Sequence, residues 1–538
     1  MPSSYTPRMI SEKSGSTTKA WFQFPNDEGI NGQDEADDLS FGIFYRLLDD
    51  RNKVLRAFVH RITVEDLNTS DSQLARHKLM GPQNLLARLV KKLPNLETVH
   101  FKRSVSLPPS EEFVEAFLTH KKSPKLFLLG ESGSKTTEIT MPFVHEIRTW
   151  FDATVSPSPE NRRSWFQILN LDDPDAEPFE PERFALHELF SAYPNIESLS
   201  VSIDRFHGGC DGDPPSIRIS SLAPGTTFPP LRSLSLSGYD VTKDEKGQRI
   251  WSKKFPWNQL QSLTLGHQDN PGFFKAATGK VRHLKKFEAT HYGKPNSRRD
   301  LDAFLSSFHT LESLTAKGTI PSLAAMAHHS NLEHLCLHTI EQPDKERVSL
   351  NASEIRALNR KHPRLKSLEL DIDPKGKWPD NIVKAIATGF KNLHQLSIHV
   401  GLRLPLLIKT CEADKTDDLL GFNDNYFKSV LTDETAQAFA NRFFACRGPS
   451  AIKKITLQTG ESLRWFPQWP PWYAESEGQH ARTFEAYPPQ HQGDEPCLKE
   501  LMSDSEGVFP SSDSSEKKPQ RLSRAPRVLR ASGFPSVI

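Results

Sequence analysis

Five side chains in the second half of this sequence have the types needed for proton exchange or ion pairing. They are His334, His338, Glu369, Asp371 and His399. An imidazole beside a carboxylate titrates near neutral pH, because the negative charge favours the protonated ring. A second stretch suggests phosphate chemistry. "LFLLGESGSKTTE", Leu126 to Glu138, reads as an apolar strand, a Gly/Ser loop, then Lys135, Thr136 and Thr137. A phosphate-binding loop needs the spacing G-x-x-x-x-G-K-[ST]. Counted from Gly130, the second glycine falls on Lys135; counted back from Lys135, the glycine positions are Ser134 and Leu129. The match is one residue short from either end, and Pro142 interrupts the helix that should follow. "FQILNLDD", Phe166 to Asp173, would be the acidic strand of such a site. A polar turn after a buried strand is the reading preferred here. The alternative is a nucleotide-dependent switch or hydrolase using Gly130 to Thr137. No H-E-x-x-H or G-x-S-x-G occurs, so no catalytic residue, cofactor or metal is assigned and the chain is read as non-enzymatic.

The five polar residues acquire a geometry only through the elements that carry them. A phrase of the form L-x-x-L-x-L recurs along the chain, as in "YPNIESLSVSI", "FPPLRSLSLSG", "WNQLQSLTLGH", "FHTLESLTAKG", "HSNLEHLCLH", "HPRLKSLELDI" and "FKNLHQLSIHV". Further copies begin near Leu96, Leu284 and Ile452. This is the strand signature of a leucine-rich repeat, here with unequal intervals and without the asparagine that usually follows the strand. The segments between are helical by pattern. Leu301, Phe304, Leu305 and Phe308 fall on one face. Asn351 with Glu354 forms a capping box, and Asp380 is the expected cap of a helix ending near Gly389. The predicted fold is an α/β leucine-rich-repeat solenoid, with a curved parallel sheet on the concave side and helices on the convex side. "KLFLLG" is then another core strand in the weakly matching span 102 to 195.

Within the phrase the leucines point inward, and the residues between them face the concave side. Small hydroxylic residues dominate the early strands, among them Ser198, Ser233, Ser235 and Thr264. The later strands offer His334, Cys336 and His338, then Glu369 and Asp371, then His399. His338, Asp371 and His399 each stand six residues after the first leucine of their repeats, so they should form a row across three adjacent strands. We expect a pH-sensitive polar patch for a partner's charged side chain, with a merely solvated face as the alternative. A metal is not expected, because a flat row presents its ligands in a line.

Composition limits the partners. Lys plus Arg number 68 against 67 Asp plus Glu, a net charge of +1, which gives no electrostatic preference for nucleic acid or anionic membrane. No apolar run is long enough to span a bilayer, and no secretory leader is read at the start. Five cysteines without a C-x-x-C pair fit a reducing cytoplasmic or nuclear location. The expected organisation is a polar, disordered segment over 1–40, the solenoid over 41–460, a Trp/Pro-rich cap over 461–499 containing "RWFPQWPPWY", and a disordered basic tail over 500–538.

The irregular repeats, their "PNL-x-x-L" entries and the helix-to-strand opening of Phe44 to Val64 resemble the repeat region of fungal F-box/leucine-rich-repeat proteins, over roughly 45–460. That resemblance implies a substrate-recognition subunit of an SCF-type ubiquitin ligase. Its partners would be a cullin-ligase adaptor subunit and a degradation substrate. The family's F-box phrase, of the type "LPxELLxxIxxxL", has no match in residues 1–43.

Overall fold

A computed structural model of the chain describes residues 47–64, 82–101, 110–132, 140–152, 186–204, 225–237, 245–266, 271–290, 297–339, 347–374, 377–401, 431–447, 451–460, 481–491 and 494–501. The strands form one 15-stranded sheet in which spatial order equals chain order. They are β1 (Arg61–Val64), β2 (Thr98–Phe101), β3 (Lys125–Ser132), β4 (Val144–Asp152), β5 (Ser198–Asp204), β6 (Ser233–Ser237), β7 (Ser262–Gly266) and β8 (Lys286–Thr290). There follow β9 (Ser313–Lys317), β10 (His334–His338), β11 (Ser367–Asp371), β12 (Gln395–Val400), β13 (Lys454–Thr459), β14 (Arg482–Tyr487) and β15 (Cys497–Leu501). Pairing is parallel from β1 to β13 and antiparallel from β13 to β15. An α/β chain whose successive strands each neighbour the next is consistent with a solenoid.

The helices are α1 (Lys53–Arg56), α2 (Pro82–Lys92), α3 (Glu111–Leu118), α4 (Leu186–Ala192), α5 (Glu245–Lys254) and α6 (Pro271–Ala277). The later ones are α7 (Ser297–Leu305), α8 (Leu323–Met326), α9 (Ala352–Lys361), α10 (Asp380–Gly389) and α11 (Asp433–Arg447). From α5 onward each packs on the next, which places them in one layer. No helix among the described residues is long and apolar enough to cross a membrane.

The repeated phrase explains the packing. Leu311, Leu314 and Ala316 of one copy are buried, as are Leu393, Leu396 and Ile398 of another. The residues between them are half-buried in β6, β7 and β9. Period-two alternation therefore gives the sheet an apolar face toward the helices and a polar face away from them. Aromatic residues fill the space beneath. Phe304 stands 5.5 Å from Phe274 and 5.3 Å from Phe287, ring centre to ring centre. Trp257 sits by Trp251 and donates its indole N–H to the Trp251 carbonyl at 2.9 Å.

A ladder of backbone bonds precedes the strands from β6 to β10. The amide of Arg232 donates to the Glu197 carbonyl, Gln261 to Arg232, Lys285 to Gln261, Glu312 to Lys285 and Glu333 to Glu312. Side chains one residue before the phrase add a second ladder. Asn95 donates to the Ala57 carbonyl at 2.7 Å, Asn195 to Pro142 at 2.8 Å, and Asn392 to Pro363 at 2.9 Å. The asparagine of "PNL" thus bonds backward to the preceding unit. It satisfies a carbonyl that the tight entry to the strand would leave unpaired.

Several local expectations need correction. In the Phe44 to Val64 opening the helical part ahead of β1 is short. Asp49 caps a 3-10 turn over Asp50–Asn52, and α1 adds a single turn. Asn351 and Glu354 do form a reciprocal capping box. Asp380, however, is the first residue of α10, and Pro379 holds the cap position without a side-chain bond. Gly130 lies inside β3, beside a register shift between Leu129 and Glu131; Lys135, Thr136, Thr137 and "FQILNLDD" lie outside the described residues, as do residues 1–40 and the tryptophans of "RWFPQWPPWY". Among the described residues, the C-terminal end of the parallel stack carries the antiparallel pair β14 and β15, and β15 runs to Leu501.

Candidate functional site

Strands β10, β11 and β12 are aligned by their leucines, which sets what stands beside what. Cys336 is level with Glu369, and Asp371 with His399. In the same rows Lys317 of β9 lies beside His338, and Gln458 of β13 lies beside His399.

The side chains do not stay in a row. Adjacent strands are about 4.8 Å apart, so residues two strands apart start about 10 Å from each other. Yet the rings of His338 on β10 and His399 on β12 are stacked, with centres 3.9 Å apart and planes 27° apart. Both imidazoles lean inward over the middle strand, where Asp371 stands. His338 Nδ1 is 2.7 Å from Asp371 Oδ1. An ionised carboxylate only accepts, so Nδ1 carries the proton of this bond. The other carboxylate oxygen, Oδ2, accepts a short bond from the Thr339 amide. The Arg347 guanidinium approaches Oδ1 to 3.7 Å. His399 Nε2 is 2.7 Å from Glu369 Oε1, and the Gln458 side-chain nitrogen is 2.9 Å from His399 Nδ1. With its Nε2 proton given to Glu369, His399 keeps its lone pair on Nδ1.

Burial is the second departure from expectation. His338, Asp371 and His399 are 2%, 5% and 7% exposed, where an open patch would leave them accessible. Equivalent positions on β6 and β7, Ser237 and Gly266, are half-exposed. The patch for a partner's charged side chain is therefore not a solvent-facing row of five. Glu369 remains half-exposed, and His334 lies apart at the exposed start of β10.

The electrostatics follow from this burial. Burial lowers the His399 pKa and outweighs the opposing pull of Glu369, so the ring is held neutral. The expected rise in imidazole pKa is thereby reversed for His399. Burial alone would raise the Glu369 carboxyl, but hydrogen bonds from His399 and Cys336 and the charge of Lys317 bring it down to about 2. Burial and the Glu369 charge push the Cys336 thiol up, so it is a hydrogen-bond donor and not a nucleophile.

Sequence reasoning missed four members of this cluster's surroundings. Lys317 and Gln458 each stand six residues after the first apolar residue of their own copies, Leu311 and Ile452, so the rule that found His338 finds them too. Thr339 contributes backbone, which no side-chain pattern reveals. Arg347 arrives from the segment between β10 and α9, and nothing local marks it.

His338, Asp371 and His399 also form a group whose possible ligand atoms all lie within 4.8 Å of one another. No protein-family model matches the chain, and no curated protein is significantly similar to it.

Proposed function

We propose that this chain is a non-enzymatic leucine-rich-repeat protein that holds a protein partner on the sheet face turned away from the helices. One observation carries the reading. From β5 to β13 the helices cover one face of a long parallel sheet, and in β6, β7, β9 and β13 the outward residues of the other face are mostly half-accessible and polar. A broad, rigid surface built from many similar units suits an extended protein partner better than a small molecule, which needs a deep enclosing pocket. The resemblance to fungal F-box/leucine-rich-repeat proteins suggests which partners. They are a cullin-ligase adaptor subunit and a protein destined for ubiquitination, as in a substrate-recognition subunit of an SCF-type ligase without a recognisable F-box. Cytoplasm or nucleus is where such a partner set would be met.

The test is affinity capture with the full chain, followed by mass spectrometry for ligase adaptors and co-captured proteins. Ser235→Arg and Thr315→Arg place bulky charges on the outward face of β6 and β9; Lys253→Glu alters an exposed residue of α5. The reading expects a reproducible partner that the two arginine variants lose and the Lys253 variant keeps. Equal capture by all three variants refutes the sheet face as the docking surface.

A further inference from the structure

We propose that His338, Asp371 and His399 form a binding site for one divalent transition-metal ion, with Zn2+ the best-fitting species among ions that prefer nitrogen and oxygen ligands. The site lies on the same sheet face as the proposed partner surface but does not depend on it.

Three residues from three strands would present a line of ligands if their side chains stood upright. Here the two imidazoles fold over the central strand until their rings stack at 3.9 Å, and one potential ligand atom from each of the three residues lies within 4.8 Å of the others. Ligand atoms around a tetrahedral ion sit about 3.3 Å apart, given metal–ligand bonds of about 2.0 Å. Side-chain rotations of about an ångström close the difference, while the backbone stays in register.

Donor chemistry points the same way. Two imidazoles and one carboxylate suit zinc and its first-row neighbours; sites for calcium or magnesium are built from oxygen alone. Three protein ligands leave a fourth position for water or a partner's side chain.

The outer contacts already have the form that metal sites use. A ligating histidine typically gives its second ring proton to a carboxylate. His399 does this with Glu369 at 2.7 Å, which leaves Nδ1 as the ligand atom. The Thr339 amide holds Asp371 Oδ2, which leaves Oδ1 directed at His338, with the Arg347 guanidinium 3.7 Å away. On binding, the ion takes the place of the proton between His338 and Asp371; the neutral ring then carries its proton on Nε2, exchanged through solvent, and binds as a neutral imidazole. The Gln458 amide, now 2.9 Å from His399 Nδ1, turns away.

Burial gives a further reason. Two stacked rings and two carboxylates occupy a region where the three ligands are almost inaccessible to water. Stacked imidazoles disfavour two positive charges on each other, so at least one ring offers a lone pair. A dication bound there would share with Arg347, 3.7 Å from Asp371 Oδ1, in offsetting carboxylate charge that is costly to bury.

The experiment uses the full chain, dialysed against a chelator and then titrated with Zn2+ alone and with Co2+ alone. The expected result is one saturable equivalent, visible absorption from Co2+ in a low-coordinate site, and a higher thermal unfolding midpoint with Zn2+. His338→Gln and His399→Gln should each weaken binding about tenfold or more and abolish the thermal shift. Glu369→Gln removes no ligand and should still weaken binding about tenfold, because a neutral amide accepts from His399 less strongly than a carboxylate and leaves the ring a poorer donor to the ion. If the histidine variants fail to fold, the Glu369 variant and the parent titration decide. The proposal is overturned if the parent shows no saturable equivalent, or if binding survives undiminished in the variants, since the remaining histidines of the chain would then account for it.

Discussion

Replacing Asp371 by alanine should be among the most damaging single changes in the second half of the sheet. The carboxylate is 5% exposed and is faced by three donors. They are His338 Nδ1 at 2.7 Å, the Thr339 amide, and the Arg347 guanidinium at 3.7 Å. Alanine supplies no acceptor to any of them. Each buried donor left without a partner costs about 1–3 kcal/mol. A buried cation deprived of its counter-charge costs about 3–5 kcal/mol. These terms share one environment and do not add, so about 3–5 kcal/mol is the expected total. Asparagine keeps the volume and one acceptor oxygen, and should cost roughly half as much. The damage should be local, because each unit touches mainly its neighbours. Hydrogen exchange of the amides in β10, β11 and β12 is the direct assay. In Asp371→Ala they should exchange about a hundredfold faster or more, at 1.36 kcal/mol per factor of ten, while β6 and β7 change little. Adding Arg347→Met should recover about 1 kcal/mol or more, since it removes the buried cation that faced the lost carboxylate. Exchange in β10 to β12 within threefold of the parent would refute the claim that this carboxylate organises the cluster.

Two further outcomes follow from the core. Phe304→Ala empties a fully buried site between Phe274 and Phe287 and should cost about 3–5 kcal/mol, read as a lower urea midpoint; a shift worth less than about 1 kcal/mol would mean that the neighbours collapse into the space. Acidification should destabilise the protein from about pH 6.5 downward. Burial lowers the pKa of His399 and His362, and of His329 from 6.5 to about 4, so the unfolded chain binds protons that the folded chain refuses. Stability from these groups is complete above 6.5 and is lost as pH falls toward 4. Glu369, lowered from 4.5 to about 2, adds its own loss only below 4.5. Unfolding midpoints that stay constant or rise between about pH 7 and 5 would contradict this sign.

The elements were easier to read than the site. All ten copies of the apolar phrase lie on strands, because inward leucines every second residue leave few alternatives for a segment that must bury one face. β4, β14 and β15 were not legible. "VHEIRTWFD" lacks the leucine spacing, and a strand that joins the end of a sheet needs only an edge to pair with, which leaves no periodic trace. For the site, numbering placed His338, Asp371 and His399 at one level. It did not show that the rings would cross two strand spacings to stack, or that Arg347 would close over Asp371. Side-chain direction and burial depend on residues from other units, so a rule local to one phrase cannot supply them. The same limit explains the sign error for His399, whose pKa is governed by lost water and not by the carboxylate beside it.

The antiparallel turn at the end of the sheet bears on how such a chain can change length. β13 pairs forward with a strand running the other way, and β15, the last strand among those described, is fringed with Lys499 and Glu500. A new strand–helix unit needs an edge strand whose buried apolar residues continue the leucine rows, and β15, none of whose residues is buried, does not present one. Gene duplication can therefore lengthen this protein by inserting units between existing ones, where both neighbours present matching rows. Adding units after β15 would give them nothing to align on. The number of units can drift in the interior while the antiparallel β13–β15 end of the sheet stays fixed.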